Sequence, residues 1–291
     1  MEAKGPIKLT ELIKNKGKFS YSFEVTPDVF EEDIDNLKVE PVFFSVTWHA
    51  KTHKCANLSI DPIKTAVLLR SKQKQVLLHL SCDMMKATYL EKLLTLLQEN
   101  NICNLFLVLG EGFDPATSDF QTTSEMIKFI REKTDDYFCI GIAGFPGCSE
   151  EKLLQVKDKI NIGANFILTQ AFFDVDAFKD LQERVDKMGL DVPVIPGVFP
   201  FETPKQLEGF IKMCRIKQRK LCWDSRDRYW ECLDKENVKD NSEKPKACLD
   251  LRNLFEKSCP TQWVSHFDRK RDFNVYKEKI QKEGYEPIKE S

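Results

Sequence analysis

Residues 76–108 read VLLHLSCDMMKATYLEKLLTLLQENNICNLFLV, two apolar runs on either side of an amphipathic stretch. VLLHLS and CNLFLVL have the length and unbroken apolar character of strands buried on both faces. Between them, KATYLEKLLTLLQEN spaces its leucines at three- and four-residue intervals, which gathers them on one side of a helix. Strand, helix and strand in that order predict two parallel strands joined by a helical crossover.

The alternation continues in both directions. YSFEV and FFSVT precede this unit, and FCIGIAG, NFILTQ and VPVIPG follow it. The stretches DPIKTAVLLRSK, TSEMIKFIREK, EEKLLQVKDKINIG and VDAFKDLQERVDKMG lie between them with helical spacing. Seven strands alternating with helices make residues 1–213 an α/β domain, either a TIM-type (β/α) barrel or an open doubly wound sheet. No apolar run approaches the roughly 18 residues that cross a bilayer, and no secretory signal pattern is present. A net charge of −2 gives no general attraction for nucleic acid. Neither nucleic acid nor a membrane span is therefore expected.

In a barrel, chemistry gathers at the C-terminal ends of the strands. Glu24 ends the first strand, Thr47 and His49 the second, His79 lies in the third, Glu111 follows the fourth, and Thr169 with Gln170 ends the sixth. Gly110 and Gly112 flank Glu111 and would let a ligand approach the backbone closely.

After Cys214 the strands stop and charged, aromatic-rich helical sequence takes over, so residues 219–291 form a second domain. Ten cysteines divide along the same line. Cys55, Cys82, Cys103, Cys139 and Cys148 are scattered through strand-like segments as buried thiols, and Cys214 is isolated. Cys222 and Cys232 are separated by nine residues, and Cys248 and Cys259 by ten, with helical sequence between each pair. Cysteines so spaced lie within about 80° of one another on a helix, some three turns apart. Two such helices folded antiparallel place Cys222 opposite Cys259 and Cys232 opposite Cys248, which selects one of three pairings for two disulfides. Ligation of Cu(I) by the same four residues, if reduced, is the alternative; the spacing does not suit zinc. Trp223, Tyr229, Trp230, Phe255, Trp263 and Phe267 read as packing residues, and Arg269 to Arg271 as a solvated face.

Several of these segments resemble the flavin-dependent methylenetetrahydrofolate reductases. They are SFEVTP, SVTWHA, HLSC, VLGEG, AGFP and GANFILTQAFFD, between about Lys8 and Phe201. The resemblance implies a barrel holding FAD and passing a hydride from NAD(P)H to methylenetetrahydrofolate. It gives Glu24 the role of the acid that protonates the folate nitrogen, with Glu111 as a second catalytic carboxylate and Gln170 as a folate contact. Thr47, Ala50, His79, Gly110 and Lys159 fall at flavin-site positions. Leu109, Gly110 and Glu111 stand where the family has Arg-Gly-Asp, and Phe145 and Cys148 replace a tyrosine and a histidine, which implies a weakened flavin site. The pattern fades after VIPGVFPFETPKQLEGF, so a barrel without its eighth strand is expected.

CWDSRDRYWECLD and CLDLRNLFEKSCPTQWVSHFDRKRDF, with YKEKI, resemble cytochrome c oxidase assembly factor 6. That resemblance implies maturation of the copper site of the oxidase's second subunit, with copper chaperones and that subunit as partners and the mitochondrial intermembrane space as location. The reductase resemblance points to the cytoplasm. The expected function is an oxidase assembly factor carrying an appended reductase-like barrel; the alternative is a folate-linked flavin reductase with a hairpin tail.

Overall fold

The computed structural model describes residues 6–14, 19–172, 174–213, 216–238, 245–259 and 261–283. Cys214 lies outside them. The chain divides into two compact units, Met1–Phe199 and Pro200–Ser291.

The first unit opens with α1 (Leu9–Lys14), followed by β1 (Phe23–Val25), α2 (Glu31–Asp35), β2 (Phe44–Val46), α3 (Asp61–Ser71) and β3 (Val76–Ser81). It continues through α4 (Ala87–Glu99), β4 (Asn104–Val108), α5 (Thr123–Thr134), β5 (Cys139–Gly144), α6 (Glu150–Asn161), β6 (Phe166–Thr169), α7 (Val175–Lys187) and β7 (Val194–Ile195). The strands stand in chain order, each parallel to the next, and curl into an incomplete TIM-type barrel. Among the described residues no eighth strand joins β7 to β1.

Alternation along the strands sorts the side chains. Leu78, Leu80, Leu105, Leu107, Ile140, Ile142 and Ile167 face outward and pack with the helices in the larger core. There α4 contributes Leu90, Leu93, Leu94 and Leu97, the leucines whose spacing marked it as amphipathic. The opposite parity faces inward, where Leu77, Phe106, Cys139 and Phe166 form a second cluster with Leu9 of α1 and Phe43. Asn104 ties α1 to this floor, its side-chain oxygen accepting from Leu9 N at 2.6 Å.

The second unit holds α8 (Pro204–Met213), α9 (Ile216–Lys235), α10 (Leu249–Ser258) and α11 (Thr261–Glu283). Where two long helices were expected, the chain breaks at Cys259, which is extended (φ −115°, ψ 143°) and precedes Pro260 in the sequence. A residue before proline is disfavoured in helix. Cys248 and Cys259 therefore bracket α10 instead of lying within one helix, while Cys222 and Cys232 lie inside α9. The five described cysteines of the barrel are free thiols, and the four described cysteines of the second unit are disulfide-bonded.

Candidate active site

Backbone register brings polar residues together on the inner face of the barrel. Glu24 of β1 pairs with Ser45 of β2, and Ser45 in turn with Leu77 of β3. His79, two residues further along β3, points the same way. Its Nε2 lies 2.7 Å from Ser45 Oγ and 4.0 Å from a carboxylate oxygen of Glu24. Its ring meets Phe106 of the floor edge-on, with centroids 4.8 Å apart.

Burial first, and the nearby His49 second, depress the His79 pKa from 6.5 to about 3. The imidazole is therefore neutral near pH 7, and its approach to Glu24 is not an ion pair. Loss of solvation raises the Glu24 pKa, with His49 pulling it back. The Glu24 side chain is nonetheless 64% exposed. A concave setting accounts for both facts, since water reaches the carboxyl while surrounding protein displaces the bulk of its hydration. With His79 uncharged, no adjacent cation on β3 opposes the rise. The resulting group is a carboxyl that holds its proton longer than usual and still opens to a ligand.

The depressed His79 pKa also makes acid destabilising. Between about pH 6.5 and 3 the unfolded chain takes up a proton that the folded imidazole refuses, so stability falls as pH falls through that window. The slope is up to about 1.4 kcal/mol per pH unit. Glu24, with its raised pKa, acts in the opposite sense and is far more exposed. The urea midpoint is expected to drop from pH 7 to pH 4, and His79→Gln to flatten that drop; an unchanged profile in the variant would show that His79 titrates normally.

The other sequence-derived positions surround this pair. Thr47, just past β2, is buried and donates through Oγ1 to Val25 O at 3.3 Å. Ala50 is buried in the loop that follows. Gly110, beyond β4, has φ +106°, and a methyl there would collide with Ser81 Oγ and Asp83 Cβ. Glu111 and Gln170 are exposed. Lys159 is half-buried in the last turn of α6, its pKa lowered by burial, within electrostatic reach of Cys82 beyond β3. Among the described residues no hydrogen bond or ion pair joins Glu111, Gln170 or Lys159 to the Glu24–His79 pair. Nothing in SVTWHA distinguishes Ser45 in the sequence; its contact with His79 emerges only from the register.

These groups fit a flavin nucleotide. The barrel mouth offers neutral hydrogen-bonding side chains at Ser45, Thr47 and His79 for a polar ring. At Gly110 the backbone is bare, and Lys159 would add a positive charge.

In the second unit the sulfurs pair as Cys222–Cys259 and Cys232–Cys248, with Cα–Cα distances of 4.7 and 5.9 Å. Tyr229, Leu233, Phe255, Val264 and Phe267 are buried around them. Arg252, 9% exposed, bonds Asp268 of α11 through both terminal nitrogens at 2.7 and 2.8 Å and sits near the Tyr229 and Phe255 rings. Arg226 lies over the Trp230 and Phe267 rings. The solvated-face reading of Arg269 to Arg271 needs correction at its last residue. Arg271 is buried, bonds Asp234 at 2.6 Å and lies 5.7 Å from the Trp230 ring centre, because a planar guanidinium can stack on aromatics while paired. Trp263 is half exposed, so the packing reading is too strong there. With all four sulfurs in disulfides, Cu(I) binding at Cys222, Cys232, Cys248 and Cys259 would first require reduction to thiolates.

Comparison with known proteins finds two families in the chain, with matches that overlap at residues 212–224. A family model for methylenetetrahydrofolate reductase matches residues 8–224, and one for cytochrome oxidase c subunit VIb matches residues 212–282. Methylenetetrahydrofolate reductase 2 of Saccharomyces cerevisiae is 31% identical over 219 residues, covering 67% of this chain and 36% of that protein. The chain thus spans about a third of the length of such reductases. The cytochrome c oxidase assembly factor 6 homolog of Homo sapiens is 47% identical over 72 residues, which are 25% of this chain and 54% of that protein. Its counterpart in Bos taurus is 43% identical over 74 residues, which are 25% of this chain and 87% of that protein.

Proposed function

The chain belongs to the methylenetetrahydrofolate reductase family over residues 8–224 and to the cytochrome c oxidase assembly factor 6 family in its last quarter, and from that premise we propose that the hairpin unit serves cytochrome c oxidase assembly. The observation that carries this reading is the pairing Cys222–Cys259 and Cys232–Cys248, which concentrates the chain's disulfide chemistry in the part related to an assembly factor. The chemistry is thiol-disulfide exchange, or Cu(I) handling after reduction, in maturation of the oxidase's copper site. Copper chaperones and the second oxidase subunit are the partners proposed. Two disulfides favour an oxidising compartment, so the mitochondrial intermembrane space is the location proposed.

A second reading rests on the Glu24–His79–Ser45 constellation. In this reading the barrel is a flavin-dependent reductase acting on methylenetetrahydrofolate. Thr47, Ala50, His79, Gly110 and Lys159 would hold FAD, which when bound relays a hydride from NAD(P)H to the folate. Glu24 holds a proton at its carboxyl for the folate nitrogen, and neutral His79, anchored on Ser45, keeps an uncharged face toward it. Gln170 is exposed where folate would bind, and Glu111 supplies negative charge at the mouth.

The two readings occupy different units, and one preparation tests both. An absorbance spectrum of the purified full-length chain is expected to show flavin bands, and a thiol count to find four cysteines oxidised. A colourless protein that gains no flavin from added FAD would remove the reductase reading. Free thiols at Cys222 or Cys232 in non-reducing peptide mapping would remove the assembly reading.

A further inference from the structure

The loop after β4 runs Leu109-Gly110-Glu111-Gly112 at the mouth of the barrel. It is braced from below. Ser81 Oγ donates to Leu109 O at 3.2 Å, and buried Asp83 accepts from Asp114 N at 3.2 Å. Gly112 has φ +64°, and a methyl there would come 2.5 Å from Lys51 Nζ. The ammonium of Lys51, carried by the loop after β2, therefore rests against the bare backbone at Gly112. Among the described residues Lys51 makes no ion pair, even with Glu111 next in the chain to that glycine. The N–H groups of Glu111 and Gly112 likewise donate to no acceptor among the described residues.

A cation without a counterion, seated beside consecutive unused N–H groups in a left-handed turn, is the arrangement that binds an anion. We propose that Lys51 and the backbone of Glu111–Gly112 bind the phosphate of a flavin nucleotide at the barrel mouth. The proposal rests on the reductase reading of the barrel. It gives the positive charge missing at Leu109, an exposed apolar side chain, to a different strand's loop. Phosphate, not the ring, is what Lys51 recognises, so its loss separates ligands by whether they carry that group.

The test uses the full-length chain with riboflavin, FMN and FAD as probes, titrated by quenching of flavin fluorescence. Lys51→Met is expected to weaken FMN and FAD binding about tenfold, the scale of one charge-assisted contact, and to leave riboflavin unchanged. Lys51→Arg is expected to restore affinity for both nucleotides. Because Lys51 is exposed, neither variant disturbs the core. Equal nucleotide affinity in wild type and Lys51→Met overturns the role of Lys51 and leaves the reductase reading standing. An equal loss for riboflavin also overturns it, by assigning the residue to packing. Failure of the wild type to bind any of the three overturns the reductase reading and this inference together.

Discussion

Cys222→Ser is expected to leave Cys259 as a free thiol and to unfold the hairpin unit well before the barrel. The bond it removes spans 37 residues, and the inner bond spans 16. Chain-entropy scaling gives such closures about 4 and about 3 kcal/mol, less than additive here because the inner loop is nested in the outer. Against them stands a core of only a few buried side chains, among them Tyr229, Leu233, Phe255 and Phe267. A loss near 4 kcal/mol is comparable to the whole stability of so small a unit. Trp223, Trp230 and Trp263 lie in it and only Trp48 in the barrel, so tryptophan fluorescence reports mainly on the hairpin. The expected result is an early fluorescence transition in urea that the wild type lacks, with far-ultraviolet dichroism retaining a later one. Coincident transitions at the wild-type midpoint would mean that helix packing, not the bridge, holds the unit. Peptide mapping gives the pairing independently, since a free Cys232 or Cys248 in this variant would contradict it.

Glu24→Gln is expected to lower folate reduction by two to four orders of magnitude, about the contribution of a positioned general acid, while flavin affinity stays within about twofold. Glutamine keeps the size and hydrogen-bonding capacity of the side chain but carries no transferable proton. The loss should appear in folate reduction and not in oxidation of NAD(P)H by bound flavin, because only the former needs a proton at the substrate nitrogen. Equal damage to both half-reactions would place Glu24 in flavin binding instead. Full activity would end its role as acid. The raised pKa adds a pH signature: the wild-type folate step should weaken as pH rises through the shifted value.

Much of this was legible in the sequence where a local period met a single physical demand. Leu90, Leu93, Leu94 and Leu97 could not all be buried except on a helix against the sheet, and each strand's apolar run showed on its own. The cysteine pairing was legible from two antiparallel segments that bring the first cysteine to the last, even though Cys248 and Cys259 bracket α10 instead of lying on one helix. Contacts that depend on register between strands were not legible. Ser45 joins His79 because β2 and β3 align as they do, and Lys51 reaches Gly112 because two loops meet at one end of the barrel. The break at Cys259 is readable in Pro260, which disfavours helix at the residue before it and so separates α10 from α11. Arg271 misled for another reason. Its charge argues for solvent, but its partner Asp234 and the neighbouring Trp230 ring lie on another helix, α9.

The division of cysteines between the units bears on how the disulfides form. Burial pushes the thiols of Cys82 and Cys103 up to about 12, so in the folded barrel about one in 10⁵ is a thiolate at pH 7. A thiol in that form does not attack disulfides at a useful rate. In the unfolded chain the same sulfurs ionise normally and compete with the hairpin's four for every partner. A barrel that closes first removes those competitors, and the four hairpin sulfurs then have three pairings among themselves. Oxidation before the barrel closes would let the two sets of sulfurs compete, so the observed pairing is favoured when the N-terminal unit folds while its sulfurs are still reduced.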